Sequence, residues 1–256
     1  MDLEGASVLV TGGASGIGEA SARRLTALGA KCLILDMNEE KGKTVASELR
    51  GEFAKADVAD ADEVQAAVAA AVALGPLRGL VNAAGVGWAA RTIDREGNPH
   101  DLAAFERVLR INLVGSFNCL RLAASAMSKS DPVDADGQRG AVVNMTSVAA
   151  FDGQIGQAAY SASKGGVVGM TLTTARDLSA AGIRVNTIAP GLIDTPIYGS
   201  GEGSDAFKAN LGRNVLFPKR LGDATELASM VAELITNDYM NGEVIRVDGG
   251  IRMPPK

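Results

Sequence analysis

The sequence predicts an α/β protein: a single domain built on a doubly wound, seven-stranded parallel sheet with helices on both faces. Three observations carry this expectation. Short runs rich in Val, Ile and Leu alternate with longer Ala-rich amphipathic segments along most of the 256 residues. A Gly-rich turn, Thr11 to Gly18, joins the first such run to the first amphipathic segment. No linker or shift in composition divides the chain, so residues 1–256 read as one unit. Alternation of this βαβ kind requires a parallel sheet covered on both sides, and right-handed crossovers make it doubly wound.

The elements follow in order. Val8–Val10 is an apolar run closed by Thr11-Gly12 and reads as the first strand, followed by a helix over Gly16–Leu28 that stops before Gly29. Lys31–Asp36 is a second strand, Glu39–Arg50 a helix ending before Gly51, and Glu52–Asp57 a third strand. Asp60–Leu74 is a helix stopping at Gly75, and Leu80–Asn82 a fourth strand. Two helices over Leu102–Met127 precede a fifth strand, Ala141–Thr146. A long helix over Tyr160–Ala180 leads to a sixth strand at Arg184–Ala189; a helix at Ala224–Ile235 and a strand at Glu243–Val247 complete the pattern. Three stretches lack such periodicity: Val86–Asp101, Ser128–Arg139 and Leu192–Pro218. The first and third follow strands and so lie on the ligand side of the sheet, whereas the second lies away from it. The third carries Gly199, Gly201 and Gly203 and reads as a substrate lid, or else as a plain surface excursion.

Composition narrows the function classes. The chain is 46% hydrophobic and 21% charged, with a net charge of -5, which gives no electrostatic footprint for nucleic acid or an anionic membrane. No apolar run approaches the roughly 18 residues of a membrane span, and the start shows no basic presequence, so a cytoplasmic protein is expected. Cys32 and Cys119 fall inside apolar runs without metal-ligand spacing and read as buried reduced thiols; no metal site is expected. His100 is the single histidine, and its polar surroundings suit a surface or capping role better than a substrate-side one.

Glycines at 12, 16 and 18, between a strand and a helix, let the backbone approach a pyrophosphate, and the helix N-terminus aims free N–H groups at it. A tight βα turn alone is the plainer alternative. Asp36 closes the second strand 18 residues beyond Gly18, where a carboxylate accepts hydrogen bonds from the adenosine ribose and repels a 2′-phosphate. Neither Ser15 nor Met37 supplies a cation to offset it, so NAD is the expected cofactor. Asp57-Val58, at the end of the third strand, suits adenine contact or a helix cap.

Tyr160 and Lys164 lie one turn apart on a predicted helix, a pair that by itself often marks only a solvated face. Ser147, directly after the fifth strand, brings a hydroxyl to the same crevice. A phenol of ordinary pKa ~10 is too weak a base near neutrality. A neighbouring ammonium and a positive nicotinamide ring would lower that value, so Tyr160 could exchange a proton with an alcohol while Ser147 holds the oxygen.

With these motifs in place the chain resembles the short-chain dehydrogenases/reductases over essentially its whole length, and a Rossmann fold is implied. The likeness rests on the loop at 11–18, Asn82-Ala83-Ala84-Gly85, Asn112, Ser147, Tyr160 with Lys164, and Pro190-Gly191. It implies that Asn112 kinks its helix and helps anchor a water relaying protons to Lys164. It also implies that Asn82, Ala83 and Gly85 support the sheet edge beside the cofactor, and that Ile193 and Thr195 contact the nicotinamide carboxamide. The cofactor set is then Gly12, Ser15, Gly16, Ile17, Gly18, Asp36, Asp57, Val58, Asn82, Ala83, Gly85, Tyr160, Lys164, Pro190, Gly191, Ile193 and Thr195. A dinucleotide-binding half spans roughly 1–150, and a catalytic half roughly 141–256 holds the substrate loop near 192–218.

The segments 147–160, 184–192 and 241–253 look like the type 2 3-hydroxyacyl-CoA dehydrogenases, also called type 10 17β-hydroxysteroid dehydrogenases. That resemblance implies a small-molecule substrate, an acyl-CoA thioester, with Gln154 and Gln157 reaching the acyl oxygen or forming a polar loop rim. Other secondary-alcohol or steroid substrates, an acyl-carrier-protein thioester, and an NAD-binding scaffold without turnover are the rivals. Small residues on the helix from Ser161 (Ala162, Gly165, Gly166, Gly169) and the resemblance together suggest a homotetramer, although those residues could equally pack against the chain's own sheet. Trp88 suits either the acyl pocket or a core cover.

Overall fold

The computed structural model describes residues 1–196 and 202–255. Seven parallel strands form the sheet, in the order β3-β2-β1-β4-β5-β6-β9. They are β1 (Ser7–Thr11), β2 (Lys31–Asp36), β3 (Glu52–Lys55), β4 (Leu77–Asn82), β5 (Gly140–Met145), β6 (Ile183–Pro190) and β9 (Val244–Val247). A separate short pair, β7 (Ile193–Asp194) with β8 (Gly222–Asp223), follows β6. The chain reverses direction across the sheet between β1 and β4, so a crevice opens there at the carboxyl ends of the strands.

Alternation along each strand builds the two halves of the core. Cys32 and Ile34 of β2 face one side, while Leu33 and Leu35 face the other, and Val8, Val10 and Leu9 of β1 divide the same way. Helices α1 (Gly16–Thr26), α2 (Glu39–Glu48) and α8 (Ala224–Thr236) cover the first face. The second is covered by α3 (Ala61–Leu74), α5 (Ser116–Met127) and α6 (Ala158–Ser179). Short helix α4 (Leu102–Leu109) packs on α6. Both cysteines are buried and free, and burial pushes their thiols up, Cys32 to about 11 and Cys119 to about 12, so neither is reactive near neutrality.

Two differences from the expected pattern have physical causes. The two helices over Leu102–Met127 are one continuous rod, because a π-helical stretch, Arg110–Gly115, joins α4 to α5. The stretch after β6 is not all loop: it holds β7 and an eleven-residue helix, α7 (Glu202–Gly212). Its three glycines argued against a helix, but Gly203 lies in the first turn of α7, where backbone freedom matters least. Gly199 and Gly201 lie outside the described residues. Among the described residues no helix is long and apolar enough to cross a membrane.

Candidate active site

The Gly-rich loop is compressed against its own helix and the next strand. Gly12 and Gly16 hold positive φ angles, 63° and 55°. A Cβ on Gly12 would lie 2.8 Å from the Ala84 nitrogen, and one on Gly18 only 2.2 Å from the Gly12 carbonyl oxygen. Both obstacles are backbone, which cannot swing aside. Gly18→Ala is therefore expected to destabilise the protein by about 1–3 kcal/mol, measured by urea unfolding.

Ser15 is the N-cap of α1, yet its side chain makes no capping bond, whereas Asn38, Asp60, Asp101 and Asp223 cap α2, α3, α4 and α8. The first N–H groups of α1 thus lack the side-chain acceptor that those four helices have, as an anion site requires. Ile17 follows in the first turn and packs against the core. Asp36 closes the site: its carboxylate accepts from Ala14 N at 3.1 Å and from Asn38 N at 2.8 Å. It therefore sits beside the loop, where the adenosine ribose of a dinucleotide bound there would reach. Lys55, its partner across β3, turns its ammonium to Glu39 at 3.4 Å. These residues fit a dinucleotide cofactor.

Asp57 caps no helix: its carboxylate accepts from Ala59 N, and Asp60 caps α3. Val58 is buried, with its carbonyl held by the Asn118 amide at 2.9 Å. Asn118 went unnoticed in the sequence because nothing in an amphipathic helix marks which polar residue turns inward.

A buried polar row crosses the sheet at the ends of β1 and β4, near the end of β5 and mid-way along β6: Thr11, Asn82, Asn144 and Thr187 are register partners, each at most 2% exposed. Thr11 Oγ1 accepts from the nitrogens of Ala83 and Ala84, and Asn82 donates to Asn144 Oδ1 and to the Ser116 carbonyl. The row holds Asn82–Gly85 against the crevice. Its signal in the sequence is a polar residue within or at the end of each of three apolar strands besides Asn82: Thr11 ends β1, Asn144 lies one residue before the end of β5, and Thr187 sits mid-way along β6. Gly85 lies against Asn112 and Lys164, and a Cβ there would come within 3.2 Å and 3.5 Å of their polar atoms.

Asn112 occupies the π-helical stretch and is fully buried. Its amide exchanges two hydrogen bonds with the backbone of Val86, at 2.8 and 3.0 Å, and donates to Ser163 at 3.1 Å. The side chain therefore clamps the start of the 86–101 stretch to α6. Within that stretch Trp88 is half-exposed, and His100 Nδ1 donates to the Arg91 carbonyl at 3.2 Å while Asp101, not His100, caps α4.

Ser147 caps a short 3-10 turn, Val148–Ala150, and accepts from Ala149 N at 3.1 Å. That bond uses a lone pair and leaves the hydroxyl proton free, and Ser147 lies near enough to Tyr160 to pull its phenol down against the effect of burial. Lys164 lies one turn along α6, with its ammonium 5.8 Å from the Tyr160 ring centroid and donating to the Met145 carbonyl at 2.9 Å. Thr146 ties the strand to the helix through the Lys164 carbonyl at 2.7 Å. The three side chains named from the sequence are thus together at the carboxyl end of β5.

The electrostatics differ from the expectation. In the protein alone burial pushes the Tyr160 phenol up, against a smaller opposing pull from the Ser147 hydrogen bond. The Lys164 ammonium meets the ring and a carbonyl, not the phenol oxygen. Burial lowers Lys164 to about 8. The fold therefore binds fewer protons at Lys164 than the unfolded chain between pH 8 and the ordinary value of 10.5, so this residue makes stability rise with pH across that window. Melting temperatures of the parent and Lys164→Met, compared from pH 7 to 10, are expected to converge or cross as pH rises. A constant difference would contradict the buried ammonium.

On the far side of the crevice Pro190 ends β6, and Gly191 lies so close to Asp248 that a Cβ would be 2.7 Å from its Cα. Ile193 is buried, and Thr195 faces Gly16, bringing the segment after β6 onto the Gly-rich loop. Gln157 builds its own loop, its Oε1 accepting from Gln154 N at 3.0 Å, whereas the Gln154 amide donates across to the Pro254 carbonyl. Among the described residues no group of three His, Cys, Asp or Glu side chains could hold a metal ion.

The family model described as short chain dehydrogenase matches residues 6–202. The chain belongs to the short-chain dehydrogenase family. As a short-chain dehydrogenase it is an oxidoreductase whose family chemistry uses a nicotinamide cofactor, which the Gly-rich loop and Asp36 fit. It is 49% identical to the human protein named 3-hydroxyacyl-CoA dehydrogenase type-2, over 99% of this chain and 97% of that one. The bovine protein of the same name is 48% identical with the same coverage. A crystal structure of 3-hydroxyacyl-CoA dehydrogenase type-2 from Mycobacterium avium superposes with a TM-score of 0.94 at 47% identity, covering 100% of this chain and 99% of that one.

Proposed function

We propose that this short-chain dehydrogenase interconverts a 3-hydroxyacyl-CoA and a 3-oxoacyl-CoA using NAD, with Tyr160 as the acid/base. The observation that carries the reading is the grouping of Ser147, directly after β5, with Tyr160 and the buried Lys164 on α6, at the crevice the Gly-rich loop borders. The substrate class comes from the full-length likeness to proteins named for that activity.

The bound cofactor supplies a hydride acceptor or donor and a positive charge in its oxidised form. The rest falls to the chain. Tyr160 takes the hydroxyl proton at its phenol oxygen during oxidation and returns it during reduction. Ser147 hydrogen-bonds the substrate oxygen and holds it against Tyr160. Lys164 binds the nicotinamide ribose and, as an ammonium, favours the phenolate. Asn112 keeps Val86 and α6 in place around this group. Asp36 favours NAD over its 2′-phosphorylated form, and Asp57, Val58, Pro190, Gly191, Ile193 and Thr195 complete the cofactor walls. The stretch 192–218 contributes the substrate side.

The loss of NADH absorbance with acetoacetyl-CoA, run beside NADPH, tests the reading. Turnover with NADH and little with NADPH is the expected result. Preference for NADPH would refute the role of Asp36 and favour a reductase of carrier-protein thioesters. Activity only on steroids or simple secondary alcohols would refute the acyl-CoA assignment, and none on any of these would leave an NAD-binding scaffold.

Self-association fits the surface. Gly166 packs on Leu113 within the chain, but Gly165 and Gly169 face open space, and Val114, Phe117 and Leu172 are each about half exposed. We propose a homotetramer, to be read by light scattering. The free, buried thiols suit a reducing compartment such as the cytoplasm.

A further inference from the structure

The segment after β9 folds back on the loop that joins Ser147 to Tyr160. Arg246 is the tie. Its guanidinium donates to Asp152 at 2.7 Å, to Asp248 at 2.7 Å and to the Ile251 carbonyl at 2.9 Å, and lies 5.5 Å from the Phe151 ring centroid. Charge-assisted bonds of this length at a partly buried site restrict both strands of chain they join. Two more bonds extend the seam: Gln154 donates to the Pro254 carbonyl and Ile155 N to the Pro255 carbonyl, both at 3.0 Å.

The seam brings apolar side chains beside the reacting group. Val148, adjacent in sequence to Ser147, packs in one buried cluster with Val215 and Ile251, and Leu192 and Met253 close its partly exposed side. The cluster is separate from the two core halves, and it gathers residues from three places: the turn after Ser147, the stretch after β6, and the segment after β9. A small apolar cluster whose Leu192 and Met253 stay partly exposed, next to a hydroxyl that holds the substrate oxygen, is suited to an alkyl group.

We propose that residues Ile251–Pro255, strapped down by Arg246, form the acyl-side wall of the substrate site and that Met253 sets which acyl chains are accepted. This rests on the acyl-CoA reading above. Arg246 is a positioning residue in this arrangement, acting through Phe151, Asp152 and Ile251. Met253 is a flexible, polarizable gap-filler, and its partial exposure leaves a face for the ligand.

The test is the ratio of kcat/KM for 3-oxohexanoyl-CoA to that for acetoacetyl-CoA, measured with NADH. Widening the wall by Met253→Ala is expected to raise the ratio about tenfold, the scale on which a hydrophobic pocket discriminates added methylenes. Narrowing it by Met253→Phe is expected to lower the ratio. Arg246→Gln is expected to raise KM for both substrates more than it lowers kcat, a split that general loss of folded protein would not give. A ratio unchanged in both Met253 variants, each shown folded by circular dichroism, overturns the wall; if Met253→Ala fails to fold, Met253→Phe decides. A parent protein inactive on both acyl-CoAs overturns the reading of function and the wall with it, whereas an active parent with unresponsive variants overturns the wall alone.

Discussion

Tyr160→Phe is expected to lower kcat by about 10²–10⁴-fold, the usual contribution of a positioned acid/base. The substitution removes one oxygen and keeps the ring, so the packing of α6 and the contact with Lys164 remain. NADH affinity, measured by calorimetry, is expected to stay near the parent value, because the walls of the dinucleotide site are formed mainly by other residues. A fall of this size corresponds to about 3–5 kcal/mol of lost transition-state stabilisation. Substantial residual turnover would mean that another group handles the proton; lost NADH binding would mean that the defect is structural. The pH profile adds a second check. Burial alone raises the phenol, so the acidic limb of the parent's oxidation rate, where the base becomes protonated, reflects charges brought near Tyr160. In Lys164→Met that limb is expected to move to higher pH.

Asp36 carries the second large effect. A 2′-phosphate placed at the end of β2 would face a carboxylate already fixed by Ala14 and Asn38 and unable to turn away. Like charges in contact cost several kcal/mol, so replacing the acid should relax discrimination on the order of 10²-fold or more. Asp36→Ser combined with Met37→Arg supplies a cation as well, since Met37 is exposed beside the loop. The ratio of kcat/KM for NADPH over NADH is expected to rise by at least that factor. An unchanged ratio would place the adenosine ribose elsewhere.

The fold was legible in detail because both of its periodicities are written locally. Lys31–Asp36 spans the residues expected, and most other elements begin or end within three residues of their expected bounds. A larger misjudgement concerned the stretch after β6, where α7 replaces an expected loop. The stretch carries little helical periodicity, and its glycines add no helical signal. The Asp57 alternative failed for a similar reason: two aspartates three residues apart can each cap a helix, and only the backbone decides that Asp60 does.

What the sequence by itself determined was the order of elements, the Gly-rich turn, the acid at the end of β2, and the Tyr160–Lys164 spacing. Each of these is a statement about residues near one another along the chain, governed by steric and periodic rules that act over a few residues. Only the tertiary structure decided what meets across the chain. It set Thr11, Asn82, Asn144 and Thr187 in one buried row, turned Asn118 toward Val58, occupied Gln157 with its own loop and tied Gln154 to Pro254. It also folded the segment after β9 onto the turn beside Ser147. Such contacts depend on strand order and register, which no local pattern encodes, and on whether a polar side chain finds its partner in solvent or in a distant segment. The direction in which Tyr160 is shifted belongs to the same class, because burial and the placement of the Lys164 ammonium are properties of the packed molecule.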